Sequence, residues 1–285
     1  MTAADLLTRA DRGRPRPAVA WTVRFRRPGV LVALAILLIA VACALVPSWF
    51  TTADPINGSP ADRLQPPGAA HPFGTDYLGR DQLSRVVHGA RLSLEATGAA
   101  VLIAAVAGGL IGVVAGYVGG LLDSLLMRLM DVLLAIPGLL LALAVVSAIG
   151  FGVVNVAVAV GVVSVAGYAR LVRSQVLVVR EAGYVTAARG SGARTGRILL
   201  THVLPNSTGP LIALATVDIG AVLLTVSALS FLGFGAAPPT PEWGALVASG
   251  QQYLYAAWWL TTFPGLAIAA VVVSANRVAR ALEGR

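Results

Sequence analysis

Six apolar runs dominate this chain: Val30–Val46, Ala96–Val118, Val132–Ala148, Gly150–Ala169, Pro210–Phe234 and Ala256–Ala275. Crossing roughly 30 Å of hydrocarbon at 1.5 Å per residue takes about 20 residues with few or no charges. The first and third runs are short and are expected to extend by a few residues. With 57% hydrophobic residues, 12% charged residues and a mean hydropathy of +0.80 over 285 residues, there is too little polar surface to cover a water-soluble globule. The expectation is an all-α, polytopic membrane protein with six transmembrane helices. It divides into a basic arm, residues 1–29, and a membrane domain, residues 30–285.

Orientation follows from the arginines, which make up all 21 basic residues. The amino-terminal arm carries seven of them against Asp5 and Asp11, the 170–209 connection six against Glu181, and the carboxyl tail Arg277, Arg280 and Arg285. Positive connections stay inside, so both termini and residues 170–209 are placed in the cytoplasm. Residues 47–91, with four arginines and four aspartates, and residues 235–255, with Glu242 alone, suit the outside. The 119–131 connection holds Asp123, Arg128 and Asp131 and gives no signal of its own. A +8 balance placed beside membrane spans reports topology, and no nucleic-acid partner is expected. Arg26-Arg27 before the first run resembles a leader, but five further spans favour an anchor that stays in the protein. Cys43, the single cysteine, excludes an internal disulfide framework and reads as a packed residue.

Gly108, Gly112, Gly116 and Gly120 recur every four residues, which places them on one helix face where another backbone can approach closely. Such a face suits static packing or a seam between moving helices. Pro137 and Pro264 each remove an N–H within a span, freeing a carbonyl that neighbours must satisfy. Asp218 is the only charge inside a span. An ionised carboxylate near the midplane costs at least ~2.5 kcal/mol, so it is expected to face a wet cavity or a partner. It is a candidate contact for a cationic group on a transported solute, or else a buried structural hydrogen-bonding group.

No HExxH or GxSxG occurs, the three histidines lie in connections, and GxxxxGK[ST] cannot exist without lysine. The chain is expected to be non-catalytic, with no metal site. Any energy-driven work draws its energy from a partner.

The stretch "EAGYVTAARGSGARTGRILLTHVLPN", residues 181–206, reads as two short helices parted by Gly190-Ser191-Gly192, the second stopped by Pro205. It resembles the coupling loop of permease subunits of bacterial ABC importers, which runs Glu-Ala-Ala, three residues, Gly, nine residues, Ile, one residue, Leu-Pro. Glu181-Ala182 opens like that motif but has Ala187 where glycine is required. Counting back from Leu204-Pro205 sets it at Thr186-Ala187-Ala188 with Gly192, Thr186 replacing the acid and His202 the isoleucine. "HPFGTDYLGRDQLSR" (71–85), "GARLSLE" (89–95), "MRLMDVLLAIP" (127–137), "YARLVRSQVL" (168–177), "ALSFLGFGAAPPTPEWG" (228–244) and "FPGLAIA" (263–269) are similar, in order, to the dipeptide, oligopeptide and nickel permeases, in particular the C-type partner of the pair. The chain departs from that family at Val226, where an acid is common, and in its tail.

The resemblance implies a type I ABC importer permease fold in the bacterial inner membrane. It also implies alternating access with a homologous permease, two ABC ATPases (or one fused or duplicated) that carry ATP and Mg²⁺, and an extracytoplasmic solute-binding protein. Thr186, Ala187, Ala188, Arg189, Gly192, Arg194, Leu204 and Pro205 would couple to the ATPases. Asp76, Arg80, Asp81, Glu242 and Trp243 are docking candidates for the binding protein. Peptides are the expected cargo, with nickel or another small solute as the alternative. An ion-driven secondary transporter, for which Asp218 gives some footing, is the rival class.

Overall fold

The computed structural model describes residues 28–283; the basic arm, apart from its last two residues, and Arg285 lie outside them. Ten α-helices follow in order: α1 (Pro28–Leu45), α2 (Gln82–Val118), α3 (Gly120–Ala135), α4 (Gly138–Ile149), α5 (Val153–Arg180), α6 (Gly183–Gly190), α7 (Thr195–Ile198), α8 (Leu204–Phe231), α9 (Trp243–Gly250) and α10 (Trp259–Glu283). Among the described residues, five helical stretches are long and apolar enough to cross a membrane, and the α3–α4 pair, bent by 98°, passes the same test only when its two helices are taken together, as a broken span or a re-entrant loop.

That break corrects the third expected span. Residues 132–148 do not form one helix, because Ile136 takes an extended conformation (φ −95, ψ 133) ahead of Pro137, the geometry that proline imposes on its predecessor. At 12 residues α4 is only about 18 Å long, too short to cross alone. The fourth span also shifts: Gly150 (φ +101) and Gly152 (φ +122) form the turn, α5 starts at Val153, and it runs on to Arg180.

The centre of the bundle is the α2–α5 seam. A Cβ at Gly108 would lie 2.5 Å from Tyr168 Cβ, one at Gly112 2.5 Å from the Ala169 carbonyl oxygen, and one at Gly116 2.9 Å from Val176 Cβ. Gly161 does the reciprocal service against Ile103, at 2.9 Å. Partner numbers rise together along both helices, so α2 and α5 run parallel and end on the same face. Gly120 is no part of this seam. It follows the turn at Gly119, has φ +63, and faces open space.

Around the seam, Ala96, Ala100, Ala142, Val146, Val160, Val222, Val226 and Leu229 join α2, α4, α5 and α8 in one core cluster. The Arg277 guanidinium occupies the space beside Gly29, so the start of α1 and the end of α10 share a face. Cys43 is half-buried and lines an apolar cavity of about 560 Å³ between α1, α2 and α10. Leu31, Leu38, Leu45, Leu102, Leu110 and Val273 point outward, as a lipid-facing surface requires.

Pro264 leaves α10 unbroken. The carbonyl it frees, four residues back at Leu260, accepts a 3.2 Å hydrogen bond from the buried Gln82 side-chain amide at the start of α2. Gln82→Leu is therefore expected to destabilise the protein by about 1–3 kcal/mol by stranding that carbonyl. Pro264→Ala, which restores the N–H, should recover most of the loss. Thermal unfolding of the four proteins of this cycle in detergent checks it, and additive effects would show that the amide does not serve this carbonyl.

Candidate coupling face and translocation site

Residues 181–206 fold into a cap on the face where α2 and α5 end. The helix α6 is one exposed face and one anchor: Val185 is fully buried among Val113, Val172, Val176, Val179, Ile198 and Val203. Thr186, Ala187 and Arg189 are exposed, while Ala188 is half-buried against the same cluster. The helix ends in a Schellman motif. Gly192 takes φ +77 and donates to the Arg189 carbonyl at 3.0 Å, and Ala193 donates to the Ala188 carbonyl at 3.1 Å. That left-handed position is the reason for glycine here, since nothing lies within 4 Å of where its Cβ would be.

Beyond Gly192 the chain departs from expectation. Pro205 does not stop a helix; it lies in the first turn of α8, directly after a π-helical stretch. The helix α7, a π-helical stretch at Leu199–Val203 and α8 follow one another without a break, so Leu204, half-buried in the anchor cluster, leads directly into a span. The cap is thus continuous with a membrane helix on one side and packed on α5 on the other.

The arginines of this face fall into two groups. Arg173 holds Asp123 with two hydrogen bonds, 2.5 and 2.7 Å, Arg170 pairs with Asp131, and Arg180 donates to the Gly116 carbonyl at 2.9 Å while pairing with Glu181 at 3.1 Å. The acids of the 119–131 connection, which carried no topology signal, therefore neutralise two of the six arginines of the positive stretch, and Glu181 pairs with a third. Arg189, Arg194 and Arg197 are exposed and pair with no acid among the described residues.

On the opposite face, all five docking candidates are buried. The Asp76 carboxylate accepts from Leu78 N (2.8 Å), Arg80 N (3.0 Å) and Arg80 Nε (2.6 Å). Asp81 caps α2 by accepting from Ser84 N at 2.7 Å and contacts His71 Nδ1 at 2.9 Å. Glu242, 1% exposed, accepts from Ser93 Oγ (2.9 Å), Gly244 N (3.1 Å) and Ala245 N (3.0 Å), and Trp243 donates through Nε1 to the Val86 carbonyl at 2.8 Å. These residues staple the 47–81 loop and α9 to the bundle and offer no surface to a soluble protein. Exposed groups on this face include Trp49, Ile56, Leu78, Leu254, Tyr255 and Trp258, alongside the stacked Tyr77–Tyr253 pair at 5.3 Å. Asp54, also in the loop between α1 and α2, has its carboxyl held below the usual range by hydrogen bonds from the Ile56 backbone N–H, the Asn57 amide and the Asn57 backbone N–H.

Asp218 lies on α8, half-buried, at a cavity of about 190 Å³ bounded by α4, α5 and α8. Ser164 and Thr225 share the lining, and Tyr168 is its buried neighbour on α5.

The family model "Binding-protein-dependent transport system inner membrane component" matches residues 108–285. The chain is 41% identical to the di/tripeptide transport system permease protein DppC of Pseudomonas aeruginosa, over 90% of this chain and 86% of that one. It is equally 41% identical to the glutathione transport system permease protein GsiD of Escherichia coli, over 89% and 84%. The fold matches the MetNI methionine ABC transporter in an inward-facing conformation with a TM-score of 0.53 at 19% identity, covering 70% of this chain and 96% of that one. The chain belongs to the binding-protein-dependent transport system inner membrane components. It is a multi-pass permease subunit of the bacterial inner membrane.

Proposed function

We propose that this permease is half of the translocation path of an ATP-driven importer for di- or oligopeptides, completed by a homologous permease. Two ABC ATPases, separate, fused or duplicated, seat on the cytoplasmic face that carries α6, and a solute-binding protein delivers cargo to the other face. ATP and Mg²⁺ belong to the ATPases, and this chain does no chemistry of its own. The observation that carries the reading is α6 itself. It is a short rigid helix with Thr186, Ala187 and Arg189 outward and Val185 inward, so a push on its outer face is transmitted to α5 and α8 together. Peptide cargo is supported by the names of the relatives, a di/tripeptide permease for one and a glutathione permease for the other.

The test is reconstitution of both permeases and the ATPases in proteoliposomes, with the binding protein added outside and its retained ligand identified by mass spectrometry. Peptide uptake that needs both ATP and binding protein is the expected result. Uptake driven by an ion gradient alone would overturn the mechanism, and a bound nickel ion or other solute would overturn the cargo.

A further inference from the structure

The cavity at Asp218 has an unusual polarity. The Ser164 hydroxyl donates to the Val160 carbonyl at 2.9 Å and the Thr225 hydroxyl to the Ala221 carbonyl at 2.9 Å, each spending its one proton on its own helix. What the two oxygens present to the cavity is lone pairs alone. With the Asp218 carboxylate they form an acceptor-only lining, and no arginine or histidine borders it. The remaining wall is Gly138, Leu139, Ala142, Val160, Val163, Ala221 and Val222. Behind it lies Tyr168, 1% exposed, whose hydroxyl is outside the lining and has Asp218 as its charged neighbour. Three acceptors facing a small cavity are matched by a compact cation with several donors, and a primary ammonium with three N–H groups fits that description.

We propose that Asp218, Ser164 and Thr225 form a subsite that receives the ammonium group of the solute in transit. This rests on the reading of the chain as a peptide importer's permease. Spacing on α8 supports it: Asp218 and Thr225 are seven residues apart, two turns, with Ala221 between them, so the carboxylate and the hydroxyl share one small-residue face. Against lipid, such a face would carry an uncompensated carboxylate at a cost of at least ~2.5 kcal/mol. A wet path against a second permease removes that cost.

Accessibility chemistry in the assembled importer tests the subsite without relying on transport. In a Cys43→Ser background, Thr225→Cys keeps the carboxylate and offers a thiol in the cavity. A cationic methanethiosulfonate is expected to label it faster than an anionic one, by about tenfold beyond their intrinsic difference, because an anionic cleft concentrates cations. Adding Asp218→Asn should abolish the preference, and peptide presented with binding protein and ATP should slow labelling. No labelling by either reagent, or a preference indifferent to Asp218→Asn, would overturn the site. Protection by sodium in place of N-methylglucamine, with none by peptide, would overturn its assignment to cargo. Wild-type peptide uptake in the same vesicles reports separately on the importer reading.

Discussion

Gly112→Leu is expected to prevent assembly of a folded permease. Its Cβ alone would stand 2.5 Å from the Ala169 carbonyl oxygen, 2.8 Å from Val172 Cβ and 2.9 Å from Arg173 N, and two of these three are backbone atoms. A flexible side chain can swing away from a new methyl group; a helix backbone can yield only by moving the whole helix. Overpacking costs about 1–3 kcal/mol where side chains adjust, and a seam that cannot adjust lies at or beyond the top of that range. A fall in unfolding temperature on the order of 10 °C follows, or no monodisperse protein at all. Gly98→Leu is the control, because Gly98 is on the same helix, exposed, with nothing within 4 Å of its Cβ position. Similar thermal unfolding for Gly112→Leu, Gly98→Leu and wild type would show that α2 and α5 do not touch as closely as described.

The seam shows what a sequence can and cannot announce. Three glycines at a spacing of four declare a close helix contact because the period itself encodes a face. The same arithmetic includes Gly120, and there it fails: the period continues across Gly119, whose φ of +70 has already turned the chain out of α2. Pro137 signalled a disturbed helix, but a proline does not declare its angle, and 98° turns one expected span into two short helices. For Pro264 the freed carbonyl was legible, whereas its partner Gln82 lies 178 residues away and has no local signature.

Buried polar groups were the least legible. Asp76, Arg80, Asp81, Glu242 and Trp243 have the residue types of an exposed docking surface, yet each is satisfied by groups of its own segment or of α2. An acid that caps turns and helix starts looks in sequence like an acid awaiting a partner. The charge surplus at residues 170–197 misled in a related way. Asp123 and Asp131 are distant in sequence from Arg173 and Arg170, and only the parallel course of α2 and α5, with α3 beside them, brings the pairs together. Three arginines then remain for a partner, fewer than the six that the sequence displays.

Those three arginines surround the helix on which the remaining prediction turns: Gly192→Pro and Ala187→Arg are expected to separate ATP hydrolysis from uptake. Proline fixes φ near −65°, where Gly192 needs +77, and it deletes the N–H that donates to the Arg189 carbonyl. The Schellman closure is then lost and α6 no longer meets α7 at a fixed angle. Ala187 is exposed and lies away from the anchor cluster, so an arginine there alters the outer face without unseating Val185. A large charged group at the centre of a tight socket is expected to weaken ATPase association by about 2 kcal/mol, some thirtyfold. Ala188→Arg acts differently, because Ala188 packs inward and its replacement would lift α6 off α5. Thr186→Glu, on the exposed face, should be tolerated, and Thr186→Arg should weaken association. Gly192→Ala isolates the backbone term, with about 1–2 kcal/mol of left-handed strain and no clash, and is expected to keep coupling. Binding-protein affinity, measured on the opposite face, should be unchanged in all of them. Full coupled uptake in both Gly192→Pro and Ala187→Arg would leave α6 as a surface turn and Arg189, Arg194 and Arg197 as topology signals only.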